Sequence, residues 1–573
     1  MAERVARNSV SILLGATFMV LCAAPLLLRA ADEPTTGAPP RGKYFQEIVD
    51  AEEKAGALAL PPLPIYKAKN APAVPKVEDL PRKKMLTQYG ITWTFDKEVP
   101  AGQFISGDWY VVGEVTVVAI DPKPLFGDEV TEPPIDTKNK TVQESKWVSQ
   151  RARHGAMVNP PALRLPAHLT AAGFDSRLPS GRYKPDLFAH LPIALKPNEA
   201  LISTISRGNE ELTTLASGWV DALRSCAVLT CLAEPQPADA FRPSYGDTAN
   251  SKIYLARNLH RELLSNLPRL PGMPESLHKY ARVFQRPWQQ LCDYGISCAI
   301  ENMPHYGQGI NELEGEATLL LQMDYSPEQK ERLVVNLAQV GIDLWGQVRL
   351  NYSWMADGAH HQGRKWPIVF AGLMLGDEQM QSPKKYYPKC RFEEDDQTAM
   401  CPYTYNGKTY ERCWTGAKAF FVGHNPWDVE KGEGPTNVWE LGWGPIELFH
   451  PKDWPLPGKP VLGSDGYRMS NASPAWVGLA LAIRLMHQEK AWGHDAFFPY
   501  VDRWMTEDDT EQIKVLKEWG REDRTQKKFG DWNRQGYVSN RPKWVKEMWR
   551  KYRNSIPPGP NGEKTPPAET TWK

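Results

Sequence analysis

Residues 366–375 read WPIVFAGLML, a short run that is almost wholly apolar. Its proline can occupy the first turn of a helix, because the missing N–H has no hydrogen-bond partner there in any case. A helix that is apolar on every side is buried all round. Residues 474–486 read PAWVGLALAIRLM and have the same character. We therefore expect two buried helices in the second half of the chain.

Amphipathic helices are predicted between and around these two. Apolar residues recur there at helical spacing and form one buried stripe per helix: Ala317, Leu320, Met323, Leu333, Leu337, Val340, Ile342, Leu344 and Val348. Buried inner helices that alternate with amphipathic outer ones are typical of a helical toroid. We predict a mainly α-helical (α/α) toroid-like domain over residues 236–550.

The region before it has the period-two pattern of strands. Residues 91–95 (ITWTF) alternate, residues 109–120 (WYVVGEVTVVAI) are rich in β-branched residues, and 201–205 and 226–232 are similar. Residues 100–102 (PAG) predict a turn. We predict a β-sandwich-like domain over residues 86–235, so that the fold class is a multidomain α and β protein.

The two ends of the chain carry different signals. Arg4 and Arg7 precede an apolar run over 10–28, which predicts a secretory signal peptide over residues 1–31. Residues 32–85 are Pro- and Ala-rich and predict a linker with one helical stretch near 44–55, and 551–573 predict a disordered tail. We expect a periplasmic or secreted protein. An uncleaved anchor in the inner membrane is the alternative.

Charge excludes some partners. The 68 basic residues of the 573-residue chain cancel 68 acidic ones, so no net field favours nucleic acid or an anionic membrane surface. No metal-ligand motif or Gly-rich phosphate loop is present, and we expect neither a metal nor a cofactor.

Cysteine usage indicates a disulfide. One of the eight cysteines, Cys22, lies in the predicted signal peptide, and the remaining seven cannot all pair. An exported protein can hold disulfides. We expect a loop disulfide within the polar, turn-rich stretch that holds Cys390, Cys401 and Cys413.

Three polar clusters precede three predicted helix starts. They are 301–306 (ENMPHY), before a helix from about Asn311; 351–365 (NYSWMADGAHHQGRK); and 465–471 (DGYRMSN), before Ser473 as a helix N-cap. If the three helices are parallel, the three loops meet at one mouth, where helix N-termini favour anions. Such a mouth suits a polysaccharide or oligosaccharide with carboxylated or neutral sugars.

Eliminative cleavage of a uronate glycan assigns roles to these residues. Arg364 and Asn302 would neutralise the carboxylate, His361 or His305 would remove the adjacent proton, and Tyr352 or Tyr306 would protonate the leaving oxygen. The remaining polar and aromatic side chains of the clusters are predicted to contact the substrate: Trp354, Asp357, His360, Trp366, Arg468 and Asn471. We therefore predict a polysaccharide lyase.

Three alternatives remain open. Hydrolysis of a glycan needs two carboxyl groups, for which Asp357, Glu301, Glu312 and Glu316 are the candidates. The series at 312, 314 and 316 otherwise predicts a solvated helix face. A non-catalytic protein that binds glycan through its Trp residues is the second alternative, and a structural protein of the cell envelope is the third.

The segment 363–375 (GRKWPIVFAGLML) carries a resemblance. Together with 475–478 (AWVG) and 494–498 (HDAFF) it resembles a group of exported bacterial proteins of unassigned function, over about residues 89–505. This resemblance implies no known activity. At the level of architecture alone, the chain is similar to α/α-toroid polysaccharide lyases and glycosidases, many of which pair a toroid with a β-sandwich. No catalytic motif of those families matches residue by residue.

Overall fold

A sheet-rich N-terminal half and a helical C-terminal half make up the fold. The computed structural model describes residues 45–55, 61–131, 135–136, 141–142, 151–160, 173–176, 185–208, 223–288, 300–304, 307–356, 359–405, 407–423, 446–453, 472–507, 510–519, 542–559 and 562–567. The predicted signal peptide lies outside these ranges. Within them, no helix combines the length and the apolar character that crossing a bilayer requires.

The strands lie mainly in the first half of the chain. They are β1 (Arg82–Gln88), β2 (Ile91–Gln103), β3 (Trp109–Val112), β4 (Val115–Asp121), β5 (Leu125–Phe126), β6 (Ile135–Asp136), β7 (Thr141–Val142), β8 (Ala152–Arg153), β9 (Ala156–Val158), β10 (Ile193–Leu195), β11 (Glu199–Ser206), β12 (Leu223–Leu232), β13 (Thr398–Met400), β14 (Tyr403–Tyr405), β15 (Lys408–Tyr410) and β16 (Ala419–Phe421).

One long hairpin organises the main sheet. Strand β2 pairs antiparallel with β4 at its start and with β3 at its end, and Gly113 at φ 82° separates those two partners. The far edge of β4 pairs with β10, whereas the far edge of β3 pairs in parallel with β12. The full order is β10-β4-β2-β3-β12-β11-β9, with β1 on the other edge of β2. The sheet therefore curls into a nearly closed barrel around one apolar core.

The bounds of strands β2, β3 and β4 differ from those that the sequence predicts. The predicted turn at residues 100–102 is wrong, because β2 runs through them: Pro100 pairs with Arg82 and Ala101 with Val111. The β-rich run predicted over 109–120 forms two strands, β3 and β4, on either side of Gly113. The sheet-rich region itself is confirmed, and Ile91, Trp93 and Phe95 are each fully buried in its core.

The helices occupy mainly the second half. They are α1 (Phe45–Lys54), α2 (His278–Phe284), α3 (Gly307–Leu321), α4 (Pro327–Arg349), α5 (Lys365–Leu375), α6 (Glu378–Gln381), α7 (Pro383–Tyr386), α8 (Glu393–Gln397), α9 (Ser473–Leu485), α10 (Glu489–Trp492), α11 (Phe497–Thr506), α12 (Thr510–Glu518) and α13 (Lys543–Tyr552).

The two predicted buried helices are confirmed as α5 and α9. Every residue of α9 is buried, as is every residue of α5 except Leu375. Helix α3 packs on α9, and α4 packs on α5. Gly341 of α4 permits the second contact, since a Cβ there would lie 2.6 Å from the Cβ of Ala371. The single buried stripe predicted for α4 is wrong, because all residues from Leu333 to Val348 are buried.

A buried ionic triad joins the sheet to the helices. Arg242 donates from Nε to Asp108 (2.7 Å), in the turn of the long hairpin, and from Nη2 to Asp343 (2.6 Å), in α4. All three side chains are at most 3% exposed. Removing one member of such a network leaves a charge buried without its full complement of partners, which is costly. The triad therefore fixes the hairpin against α4.

The C-terminal segment is packed where the structure describes it. His487 bonds the carbonyl of Pro557 (2.8 Å), and Arg553 donates to the carbonyl of Pro566 (2.8 Å). Residues 553–559 and 562–567 therefore differ from the disordered tail that the sequence predicts. Helix α1 and the first residues of β1 likewise lie inside the predicted linker over 32–85, and α1 confirms the helical stretch expected there.

Candidate functional site

The loop between α4 and α5 contains three of the six predicted catalytic residues, and the short acidic helix α8 holds it. Glu393 accepts hydrogen bonds from the backbone N–H groups of Ala359 (2.5 Å) and His361 (2.6 Å). Its carboxylate also accepts from the side-chain amide of Gln397 (2.8 Å). Glu393 is fully buried. Hydrogen bonds to a buried charged group are among the strongest in proteins, so this carboxylate fixes the shape of the loop.

The neighbouring Glu394 ties the same loop to α3. It accepts from the backbone N–H of Gly363 (2.7 Å) and from Nδ2 of Asn311 (2.9 Å), in the second turn of α3. Gly363 has φ +80°, and a Cβ there would lie 2.5 Å from Ile310. Only glycine fits this position without strain. The loop therefore lies directly on the first turns of α3.

The other two acidic residues of α8 bind the two ends of the loop. Asp395 pairs with Lys365 (2.5 Å), at the start of α5, and both side chains are 1% exposed. Asp396 accepts from the backbone N–H of Ala356 (3.2 Å) and pairs with Arg391. Four consecutive acidic residues of α8 thus bind Ala356 and several residues of the segment 359–365.

The predicted catalytic residues of this loop contact the protein's own backbone. His361 is buried, with Nδ1 2.6 Å from the carbonyl oxygen of Met355. Arg364, at 2% exposed, donates from Nη1 to the carbonyls of Gln362 (2.5 Å) and His360 (3.2 Å). These bonds brace the turn of the loop, which is a structural role. His360 itself is half-buried.

The predicted aromatic contacts are core residues. Tyr352 is 7% exposed and meets Trp354 edge to face, with ring centroids 5.2 Å apart. Trp354 stacks on Phe392. Trp366 is fully buried and donates to the hydroxyl of Thr318 (2.8 Å). Both Trp rings are packed in the core, and their contact with a substrate stays a prediction.

Two of the three predicted clusters meet in part. The carbonyls of Ala359 and His360 pack against Gly307, the first residue of α3, so the 351–365 loop does reach the helix that follows the 301–306 cluster. Asn302 is buried and donates to the carbonyl of Arg286 (3.3 Å) instead. Five predicted residues lie outside the described ranges: His305, Tyr306, Asp357, Arg468 and Asn471.

Two smaller predictions at helix starts are corrected. Helix α3 begins at Gly307, four residues before the predicted start. Ser473 is the first residue of α9, not its cap, and its hydroxyl bonds the Tyr500 hydroxyl (2.7 Å). The first-turn positions of Pro367 and Pro474 are confirmed.

A carboxyl group that the sequence did not single out lies beneath the loop. Glu314 of α3 is fully buried, and neither of its oxygens has a hydrogen-bond partner among the described residues. Burial raises its pKa well above the usual value, the charge of Glu394 raises it further, and Arg364 opposes both. Burial and the neighbouring charge therefore both favour the neutral, protonated form of the Glu314 carboxyl group.

Glu314 and Glu394 form an interacting carboxyl pair. Burial also raises the pKa of Glu394, whereas the hydrogen bond from Gly363 lowers it. The second oxygen of Glu394 has no hydrogen-bond partner among the described residues. The net effect raises the pKa of Glu394, as it does that of Glu314. Two neighbouring carboxyl groups can serve as a proton donor and a base when one is protonated and the other is ionised. The predicted solvated face at 312–316 is wrong, because Glu314 and Glu316 are buried and Glu312 is half-buried.

No protein-family model, no curated protein and no solved structure matches the chain. The resemblance to exported proteins of unassigned function accordingly stays a prediction. Within the described residues, no three His, Cys, Asp or Glu side chains come together in a way that could hold a metal ion.

Proposed function

We propose that the protein is an exported carbohydrate-active enzyme and that Glu314 and Glu394 are its acid–base pair. The observation that carries this proposal is the buried Glu314 carboxyl, whose oxygens have no hydrogen-bond partner among the described residues, beside a second carboxyl. A buried acid with no partner costs folding free energy, and such costs concentrate at functional sites. Export is supported by the sequence of residues 1–31.

Glycoside hydrolysis is the reaction that this pair favours. Glu314 would donate its proton to the glycosidic oxygen, and Glu394 would act from the other side as nucleophile or base. Eliminative cleavage of a uronate, which the sequence favours, needs a tyrosine, a histidine and an arginine that face the substrate. Nδ1 of His361 and the guanidinium of Arg364 instead contact backbone carbonyl oxygens of their own loop, whereas neither oxygen of Glu314 has a hydrogen-bond partner among the described residues. We therefore place hydrolysis first and keep the uronate lyase as the second candidate.

The helices around the carboxyl pair and the access of a glycan to it are part of the proposed function. Helices α3, α5 and α9 each follow one of the three predicted polar clusters, and we propose that they are inner helices of an (α/α) toroid. The segment 359–363 covers the carboxyl pair. A glycan reaches Glu314 only when this segment moves away, so loop opening is a step of the proposed reaction.

The test uses purified protein and a panel of neutral and uronate polysaccharides. Release of reducing ends is measured together with the ultraviolet absorbance of an unsaturated product. We expect reducing ends without absorbance, and a loss of about 10²–10⁴-fold in Glu314→Gln and in Glu394→Gln. Glu316→Gln is the matched control. It replaces a buried glutamate of the same helix that pairs with Tyr280 (2.7 Å), and it should retain activity.

Three outcomes count against the proposal. Rising absorbance would establish elimination and move the chemistry to Tyr352, His361 and Arg364. Full activity of Glu314→Gln would remove the carboxyl pair from catalysis. No product from folded wild-type protein across the panel would favour a glycan-binding or structural protein of the cell envelope.

A further inference from the structure

Two cysteines flank a small hairpin on the helical half. Cys401 follows β13 and Cys413 follows β15, so that the β14–β15 hairpin lies between them. The backbone N–H of Cys401 donates to the carbonyl of Lys418 (2.9 Å), and that of Cys413 donates to the carbonyl of Ala417 (2.8 Å). Because both cysteines bond adjacent residues of one segment, their backbones lie side by side.

Their side chains meet in one apolar cluster. Cys401 is 5% exposed and Cys413 is 4% exposed, and both pack with Phe420 and Leu448. The two thiols share a hydrogen bond. Each of the other described cysteines instead donates its S–H to a backbone carbonyl. They are Cys226 to Pro287 (3.1 Å), Cys231 to Gly113 (3.0 Å) and Cys390 to Tyr352 (3.6 Å).

A buried arginine lies beside this pair. Arg503 forms ion pairs with Glu447 and with Glu507 (2.9 Å), and it donates to the carbonyl of Ala419 (2.9 Å). The hydrogen bond with Cys401 and burial raise the pKa of Cys413, and the charge of Arg503 opposes them only in part. The hydrogen bond with Cys413 in turn lowers the pKa of Cys401. The thiolate is the species that attacks a disulfide, so Cys401 is the thiol of this pair that is better placed to start the reaction.

We propose that Cys401 and Cys413 form a disulfide that closes residues 401–413 into a covalent loop, while Cys226, Cys231 and Cys390 stay thiols. In the cell the oxidation rests on the proposed export to an oxidising compartment. Both sulfurs are thiols in the structure. The two thiols lose two protons and two electrons and form the S–S bond. A disulfide oxidant accepts them, its own S–S bond breaks and two thiols leave.

The chemistry is testable on the purified full chain without any assumption about its location. The protein is reduced, desalted and incubated with oxidised glutathione, quenched in acid, alkylated after unfolding and digested with trypsin. Cleavage follows Lys408, Arg412 and Lys418, so the disulfide joins peptides 392–408 and 413–418. We expect this linked pair, lighter by two hydrogens than the sum of its reduced peptides, and alkylated Cys226, Cys231 and Cys390.

Cysteine variants test whether Cys401 and Cys413 pair with each other. Protein alkylated in intact cells tests whether the bond forms at the protein's location in the cell. Cys401→Ser and Cys413→Ser should lose the linked pair, and Cys390→Ser should keep it. Thermal unfolding of wild type should shift upward on oxidation, and Cys413→Ser should show no such shift. A glutathione adduct on Cys401 alone, or pairing of Cys390 with either partner, would overturn the proposal. If purified protein forms the bond but protein alkylated in intact cells lacks it, the geometry stands and the proposed export fails.

Discussion

Replacing Glu393 with alanine removes the carboxylate that holds the site loop. Two backbone donors, the N–H groups of Ala359 and His361, then lose their acceptor, as does the side chain of Gln397. The site is fully buried, so water does not replace the lost oxygens without rearrangement. A hydrogen bond to a charged group contributes about 1.5–3 kcal/mol, so the two backbone bonds together contribute about 3–6 kcal/mol.

This free energy appears as local opening of the loop. Each 1.4 kcal/mol, roughly, is tenfold in an equilibrium constant, so amide protection at residues 359–361 should fall by about 10²–10⁴-fold. Hydrogen exchange followed by mass spectrometry measures that protection directly. Amides in the centre of α4 serve as an internal reference, because the substitution leaves their hydrogen bonds intact.

Two matched variants isolate the cause. Glu393→Gln keeps one acceptor oxygen, so the free-energy cost of the substitution should be about half of that in Glu393→Ala. Glu411→Ala removes the same charge from an exposed position and should leave the loop unchanged. Wild-type protection at 359–361 in a folded Glu393→Ala protein would refute the reasoning, since the carboxylate would then not hold the loop.

Two other buried charges give predictions of their own. Burial raises the pKa of Glu316 from 4.5 to about 7, against the hydrogen bond with Tyr280. The folded protein binds this proton more tightly than the unfolded chain does, so its stability falls as the pH rises from 4.5 to about 7. Over this pH range the free energy of unfolding of wild type should fall by about 2–3 kcal/mol relative to that of Glu316→Gln. Urea unfolding at each pH measures the difference. Asp343→Ala leaves Arg242 with Asp108 alone and should lower the free energy of unfolding by about 3–5 kcal/mol, measured the same way.

Each of these has a result that would contradict it. Parallel stability curves for wild type and Glu316→Gln between acid and neutral pH would mean that this carboxyl titrates as it does in the unfolded chain. For the triad, Asp343→Asn keeps an acceptor for Arg242 and should cost less than Asp343→Ala. Equal costs for both variants would assign the loss to packing and not to charge.

The buried helices could be predicted because their signal is local. Residues 366–375 and 474–486 are apolar on every side, and burial follows from that composition alone. The strands at 91–95 and 201–205 followed from period two in the same way. The turn predicted at 100–102 failed because pairing with β3 extends β2 across it, a long-range effect that Pro and Gly propensities do not contain.

The burial and the roles of the acidic residues in α8 and of Glu314 could not be predicted, because they depend on partners far away in the sequence. Residues 393–396 read EEDD, which by itself indicates a solvated run of charge. Their burial depends on backbone donors more than 30 residues earlier in the chain. Glu314 likewise has the sequence pattern of an exposed residue near a helix start. The sequence signal that could have indicated burial of these acids is the apolar residue next to each, which is Phe392 before Glu393 and Leu313 before Glu314.

We predict that Glu314 holds a proton at neutral pH beside the carboxyl group of Glu394. Infrared spectroscopy observes it directly, because a protonated carboxyl has a carbonyl stretch that a carboxylate lacks. We predict that one component of this band is present in wild type and in Glu411→Ala at pH 7 and missing from Glu314→Gln, whereas the component from Glu316, whose pKa is about 7, is present in all three proteins. Identical spectra for wild type and Glu314→Gln in this region would contradict it, because Glu314 would then be ionised and could not act as the acid.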